Sequence, residues 1–345
     1  MINHFIFIVI WVVEVLLAIV LIVSLLIGKV IYQIKERKDK KVEERLGQLL
    51  FLLMTHQKKI EDIDWDKEMI PRAILLTILE TYHSNFHDEK WDEVEDFLTS
   101  RYLLPWARTH THKKRWIMRN QVARTFLLRP EKADFESILQ LLNDKSFFIR
   151  MVAAEALGEL RTKEAIEPLL RRMSKEPGSC RFIYRFVLLK TSAEQSDEII
   201  RIYSEASDDE QLRLCCLDIL SYRYYGNIFE LIAKDFDSSN SSIRWRIIKI
   251  LGCIATEQST EKLVYYLADA DPRNRQEALK ALGVIQSQKT FAKVTPLIHD
   301  PIYEVRLEAA QTIAQFKKIG REFLERQDWD IDPLAHEVAR FVLTS

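Results

Sequence analysis

Apolar residues return along most of this chain at offsets of three, four and seven, the spacing that gathers side chains on one face of a helix. Arginine marks the start of each recurrence. Arg119, Arg150, Arg181, Arg213, Arg244, Arg275 and Arg306 stand 31 or 32 residues apart. Three residues after each comes Val122, Ala153, Tyr184, Cys216, Ile247, Ala278 or Ala309, and seven after it Phe126, Leu157, Leu188, Leu220, Leu251, Leu282 or Ile313. A glycine follows in three copies (Gly158, Gly252, Gly283), then a polar stretch, then a second apolar-periodic segment such as 163–173 or 258–267. Each unit therefore reads as a helix pair. A period of ~30 to 47 residues with two helices per unit predicts an α-solenoid, in which a pair buries its apolar face only by stacking on its neighbours. The expected fold class is all-α.

Ahead of the repeats the periodicity gives way to an unbroken apolar run. Residues 5–27 are apolar throughout apart from Glu14 and Ser24. At 1.5 Å per residue such a run spans a hydrocarbon core of ~30 Å, so an N-terminal transmembrane helix is assigned to 5–28. A cleaved signal peptide fits less well, because the segment lacks a basic leader and an A-x-A site. Only Met1 to His4 precede it, whereas Lys29, Lys35, Arg37, Lys38, Lys40 and Lys41 follow, offset by Glu36 and Asp39. That asymmetry predicts a single-pass protein of the inner (cytoplasmic) membrane, N-terminus out and C-terminal part cytoplasmic. The cluster over 29–41 also suits anionic lipid, at about 1 kcal/mol per lysine or arginine near the surface. Glu14 falls near mid-span, where a carboxylate costs about 3 kcal/mol, and so is a candidate contact with a membrane-embedded partner.

Leu46, Leu49, Leu50 and Leu53 predict a juxtamembrane amphipathic helix or stalk over 29–60. Asp64-Trp65-Asp66 breaks that pattern, Pro71 suits a helix start, and 61–108 reads as an N-terminal helical cap. The repeats occupy 109–319, and 320–345 reads as a C-terminal capping helix.

Composition changes this picture locally. A net charge of -1 gives the whole chain no reason to seek nucleic acid. Residues 61–100 nevertheless hold twelve acids against Lys67, Arg72 and Lys90, while 101–130 hold no acid and eight basic residues, with Trp106 and Trp116 among them. Lys113, Lys114 and Arg115 are the densest part of that tract. Interleaved cations and aromatics are one way to hold a nucleic acid strand; mutual neutralisation of the two tracts is the plainer reading. His83 and His87 have the spacing of two zinc ligands on a helix, but the glutamate of HExxH and a third ligand are missing, and His110 and His112 do not supply them. The four cysteines (Cys180, Cys215, Cys216, Cys253) fall within repeats and read as reduced thiols, mostly buried.

The stretch from Asn143-Asp144 through Ile149-Arg150-Met151-Val152-Ala153-Ala154-Glu155-Ala156-Leu157-Gly158 to Leu160, with Ala165-Ile166-Glu167-Pro168-Leu169-Leu170 after it, resembles the HEAT repeat, in the short form of phycobilisome-lyase-like proteins. It recurs at Ile243-Arg244, at Arg275-Gln276-Glu277-Ala278-Leu279 and at Asp300-Pro301 with Val305-Arg306. The copies at Arg181 and Arg213 depart from it, with Phe182, Tyr184 and Phe186, or Cys215 and Cys216, in place of alanines. The resemblance implies that an aspartate six before the arginine (Asp144, Asp269, Asp300) binds turn amides and attracts the arginine of an adjacent repeat. The arginines then form a structural ladder and not a phosphate-binding row. Ser192 with Gln195, and Ser207 with Glu210, have capping-box spacing.

No GxSxG, GxxxxGK[ST] or GxGxxG occurs among eight glycines, so no enzyme activity, cofactor, metal or small-molecule substrate is expected. The repeat surface mixes charges, which suits a protein partner better than a polyanion. The expected function is a membrane-anchored scaffold, with Glu14, Trp106, Lys113, Lys114, Arg115, Trp116, Arg246, Lys249 and Lys280 as candidate partner contacts. Span-plus-HEAT proteins of this layout are similar to accessory subunits of membrane glycosyltransferases for surface polysaccharide. The competing class is similar to HEAT-like alkylpurine DNA glycosylases and would use 101–130; a bilin lyase is a weaker third.

Overall fold

The computed structural model describes residues 2–65, 70–86, 88–190, 193–222 and 228–344, with 2–13, 15 and 193–196 described by backbone alone. His87, Asp66 and Ser192 lie outside them, and with them the histidine pair and the cap at Ser192. The helices are α1 (Ile2–Met54), α2 (Arg72–His83), α3 (Glu89–Leu98), α4 (Leu104–His110), α5 (Trp116–Leu128), α6 (Phe135–Leu142), α7 (Phe147–Glu159), α8 (Ile166–Lys175), α9 (Phe182–Leu189) and α10 (Ala193–Glu205). They continue as α11 (Glu210–Leu220), α12 (Phe229–Ile232), α13 (Ser241–Ile254), α14 (Glu257–Tyr266), α15 (Pro272–Ile285), α16 (Phe291–Val294), α17 (Tyr303–Ala314), α18 (Lys317–Glu325) and α19 (Pro333–Thr344). Among the described residues there is no strand. The fold is an all-α solenoid of helix pairs preceded by one long apolar helix. It divides into two compact units, 1–156 and 157–345.

In the first unit, α1 is a single helix of 53 residues, about 80 Å at 1.5 Å per residue. Its two ends have different surroundings. Leu16, Leu17, Val20, Leu21, Leu25 and Leu26 are exposed. At the other end Leu46, Leu50 and Leu53, spaced four and three apart on one face, are buried against Leu75, Leu76 and Leu79 of α2 and Trp91, Val94 and Leu98 of α3. Asp88 caps α3 by accepting the Trp91 amide at 2.8 Å, and the Trp91 ring stacks on Tyr82 at 5.3 Å. The amphipathic stripe of α1 is thus part of a core and anchors the long helix in this unit.

In the second unit the helices that begin beside each arginine stack on one another in sequence, α9 on α11, α11 on α13, α13 on α15 and α15 on α17, and α19 follows on α17. Ile247, Leu251, Ala278, Leu282, Ala309 and Ile313, the residues three and seven after their arginines, are all 0% exposed. Small residues set the spacing. A methyl group at Gly252 would sit 2.9 Å from the Ala281 side chain, and at Gly158 it would overlap Val187, so the glycine eight after the arginine permits neighbouring helices to approach. The helix caps are Asn240, Thr256 and Asp271, each accepting a backbone amide from its own first turn. Ser207 does not cap α11; Asp209 does, accepting the Leu212 amide at 2.9 Å, because it is the residue that immediately precedes the first turn.

Eleven residues after the arginine the chain turns left-handed, at Arg161 (φ 50°), Ala255 (φ 53°), Gln286 (φ 52°) and Lys317 (φ 56°). The turn closes the helix: the Ala255 and Gln286 amides donate to Leu251 and Leu282 carbonyls. None of the four is glycine, the residue that takes this conformation without steric cost. Ala255→Gly is therefore expected to stabilise the protein by up to about 1 kcal/mol, measured as a higher denaturant midpoint at unchanged slope. A destabilised Ala255→Gly protein would show that the loss of chain entropy outweighs the strain.

Cys215 and Cys216 are buried, Cys180 half-buried and Cys253 exposed. Burial pushes the Cys215 thiol up to about 11, so the two adjacent thiols are packing groups and not nucleophiles.

Candidate interaction face

The repeated arginines are engaged in structure. Arg244 holds Asp269 through two N–H groups at 2.7 and 2.9 Å, and Arg275 holds Asp300 at 2.8 and 2.9 Å. In the first unit Arg119 holds Asp144 at 2.5 and 3.1 Å. A third N–H of each arginine donates backwards to carbonyls five and six residues earlier, for example from Arg275 to Asp269 and Ala270. Each aspartate in turn accepts an amide two residues on: Ser146 for Asp144, Asp271 for Asp269, Ile302 for Asp300. Burial pushes the Asp269 carboxyl up, but Arg244, the Asp271 amide and Asn274 together hold it below the ordinary carboxylate range. The ladder weakens where the repeat departs from its pattern. Six residues before Arg213 and Arg244 stand Ser207 and Ser238, so Arg181 turns to the Gln211 side chain at 3.1 Å and Arg213 reaches Asp235 only at 3.7 Å.

Half of the basic tract of the first unit is paired with acids as well, counting Arg119 with Asp144. Arg108 binds Asp134 and Glu131, both at 2.6 Å. Arg129 binds Asp96 at 2.7 Å, and Arg124 pairs with Glu80. The acidic and basic tracts thus meet at Glu80–Arg124 and Asp96–Arg129. Trp106 is half-buried, its ring tilted against His110 at 5.1 Å with the Arg72 guanidinium 5.9 Å from its centre. Lys113, Lys114, Arg115 and Trp116 remain exposed, on a turn whose Lys113 and Lys114 carbonyls are held by Arg119 at 3.0 and 2.7 Å. The His83 Nδ1 lies 3.0 Å from both oxygens of Glu95. That carboxyl is 2% exposed, and burial raises it above its usual range despite the histidine. Among the described residues no group of histidines, cysteines and carboxylates is placed to hold a metal. Glu14 is exposed on α1.

The surface left over lies on the solvent side of the arginine-started helices of the second unit, at the positions one, two and five after Arg244, Arg275 and Arg306, whereas Ile183, Leu214, Cys215 and Asp218 at those positions in the copies at Arg181 and Arg213 are buried. Here charges pair from one repeat to the next. Asp218 accepts from Arg246 at 3.0 Å, and Lys280 lies 3.7 Å from Glu308. Aromatic groups stand between them: Phe182 and Phe186 on α9 and Tyr222 just after α11 are exposed, and Trp245 on α13 is half-buried. A groove of about 490 Å³ between α13 and α15 is lined by Trp245, Arg246, Glu277 and Lys280 among others. Of the expected contacts, Arg246, Lys249 and Lys280 share this face, while Trp106 and 113–116 belong to the first unit. Phe182, Phe186, Arg185, Asp218 and Tyr222 are functional candidates that inspection of single motifs missed. The signal for them is that they fall in the copies at Arg181 and Arg213, which depart from the repeat pattern, Arg185 standing where Ala123, Ala154 and Ala310 stand in other copies.

Residues 228–314 match the family model for HEAT repeats, and residues 149–174 that for the PBS lyase HEAT-like repeat. Those two segments carry HEAT repeats. No curated protein matches it. Among solved structures, the crystal structure of Kap121p bound to Nup53p is similar at 15% identity and a TM-score of 0.57, over 77% of this chain and 34% of Kap121p. The HEAT-repeat chain thus spans about a third of that protein. Human deoxyhypusine hydroxylase in complex with glycerol (17% identity, TM-score 0.31, 73% of this chain and 98% of that one) also matches. So does the CpcE and CpcF complex of phycocyanin lyase from Nostoc sp. (17% identity, TM-score 0.33, 71% and 95%). At these identities the likeness to Kap121p is one of fold, and the two looser overlays add nothing to it.

Proposed function

We propose that this protein is a membrane-anchored scaffold whose HEAT repeats bind a protein partner at the inner membrane. The observation that carries the anchor is α1. Within Leu16–Met54 an 18-residue window has a mean hydropathy of 2.3, and none of it is buried. A soluble core helix with that composition would be covered by its neighbours, and exposed apolar surface on this scale calls for lipid. The other end of the same helix is fixed in a core by Leu46, Leu50 and Leu53. Lys29 to Lys41 then lie at the cytoplasmic surface beside anionic lipid. Glu14 meets a polar group of a membrane-embedded partner, and the partner class we favour is a membrane glycosyltransferase of surface polysaccharide production.

Binding of a protein is supported by the fold that the chain shares with Kap121p, a protein seen bound to Nup53p, and by a repeat face on which aromatic and charged groups alternate. The test is labelling of Cys253, the exposed thiol on α13, with a membrane-impermeant maleimide. The proposal expects no labelling in intact cells, labelling after lysis, and a membrane fraction that retains the protein in alkaline carbonate. Labelling from outside, or release into the carbonate supernatant, would overturn it.

A further inference from the structure

Among its described residues, the HEAT-repeat face contains a cluster whose charge is not balanced. Asp218 on α11 is 5% exposed and lies between guanidiniums from the repeats on either side, Arg246 at 3.0 Å and Arg185 at 3.6 Å. One carboxylate therefore faces two cations. Lys249, three residues beyond Arg246 on the same helix, adds a third. Its ammonium sits 4.4 Å from the centre of the Tyr222 ring and 4.8 Å from that of Trp245. Among the described residues it has no carboxylate partner, whereas Lys280, at the same position in the next repeat, has Glu308 at 3.7 Å. In the neighbouring groove Arg273 and Lys280 stand against Asp271 and Glu277, which leaves Arg246 as the cation beyond balance. Among the described residues of this cluster, the positive charge beyond Asp218 is carried by Arg185, Arg246 and Lys249.

Two aromatic rings hold the Lys249 ammonium in place without neutralising it, since the attraction of a cation to a ring face leaves its charge available. Tyr222 is fixed in turn by the Arg185 N–H, which donates to its hydroxyl at 3.4 Å. A cation held over apolar rings is partly shielded from water, which strengthens its pairing with an incoming anion. The cluster is small and flanked by paired acids. That arrangement suits one or two carboxylates, and opposes a nucleic acid, which presents a charge at every nucleotide and needs a continuous run of cations.

We infer that Lys249, with Arg246 and the rings of Tyr222 and Trp245, binds an acidic segment of the protein partner, a partner carboxylate seated on the ammonium and its apolar neighbour against Trp245. This inference rests on the scaffold reading and names the chemistry of its ligand. Arg246 is a poor site for testing it, because removing Arg246 also strips Asp218 of a counter-ion. Lys249 is the clean position. Lys249→Met keeps the aliphatic stem that covers the rings and removes only the charge.

The experiment is fluorescence anisotropy of a fluorescein-labelled hexaglutamate peptide with the full-length protein in detergent micelles. Binding is expected that weakens as salt is raised. Lys249→Glu should weaken it by about tenfold or more and Lys249→Met by a smaller factor, with helical circular dichroism unchanged. Lys318→Glu, with its side chain 92% exposed on α18, should leave it unaltered. Absence of binding, binding indifferent to both Lys249 variants, or displacement by inorganic tripolyphosphate in preference to free hexaglutamate would overturn the inference. If the cellular partner stays associated with a folded Lys249→Glu protein, the scaffold reading stands and the acidic contact falls. If wild type holds no partner at all, the scaffold reading itself falls.

Discussion

Leu282→Ala is expected to lower the stability of the protein by about 2 to 5 kcal/mol. Leu282 is 0% exposed on α15, a helix stacked between α13 and α17 and packed against α14. Truncation there removes three carbon atoms from a fully buried position of the second unit. The surrounding backbone has little room to relax, because the helix is already set at contact distance by Gly252 on one side and Gly283 on the other. Leu251→Ala, one repeat earlier, should cost a similar amount. Denaturant unfolding followed by circular dichroism measures both. Lys280→Ala on the same helix serves as the exposed control, with a change of about 0.5 kcal/mol or less. A Leu282→Ala midpoint equal to that of the control would show that the residue seven after the arginine is not a core position.

Asp269→Ala is expected to be of comparable size, about 3 kcal/mol, because it leaves a largely buried guanidinium without its counter-ion. The side chains of Arg244 and Asp269 are only 16% and 5% exposed, and the Asp271 amide loses its acceptor in the same change. The pair also predicts a pH dependence. Asp144 and Asp269 are both held below the ordinary carboxylate range in the folded protein. Their contribution is therefore present above the unfolded-state value of about 3.9 and is lost as pH falls through the lower folded value. Acid unfolding should steepen below about pH 4 in wild type, and Asp269→Ala should reduce that slope. A variant with an unchanged acid profile would assign the pH dependence to other carboxylates.

Much of this architecture was legible because a solenoid repeats its physics. A residue that must be small, apolar or charged in one copy must be so in the next, so seven arginines at one spacing disclose seven helix starts. The aspartate six residues earlier was legible through the HEAT resemblance, and its geometry follows: the carboxylate binds the turn of its own repeat and the arginine of the one before. The weak rungs at Arg181 and Arg213 were legible too, as copies that had lost their consensus. What those copies gained was not. Asp218 reads as an ordinary helix residue, and only the stacking of three repeats brings Arg185 and Arg246 to it from 33 residues before and 28 after. Tyr222, Trp245 and Lys249 likewise meet through packing and not through any local motif. At the N-terminal end, the spacing of Leu46, Leu49, Leu50 and Leu53 discloses an apolar stripe but not its partner, since Trp91 and Leu98 lie some forty residues on. The left-handed turns at Ala255 and Gln286 carry no sequence signal, because the residues there are not those that favour the conformation.

The central claim is that a protein partner binds along the exposed face of the arginine-started helices. It is tested most directly by photo-crosslinking in intact cells from single positions in the full-length chain. Phe186 and Val284 lie on that face at 54% and 78% exposure, and Lys318, with its side chain 92% exposed on α18, lies off it. The account predicts that the crosslinking residue at 186 and at 284 captures one and the same protein in the membrane fraction and that position 318 does not. Capture of that protein with equal yield from all three positions, or from none of them, would contradict it.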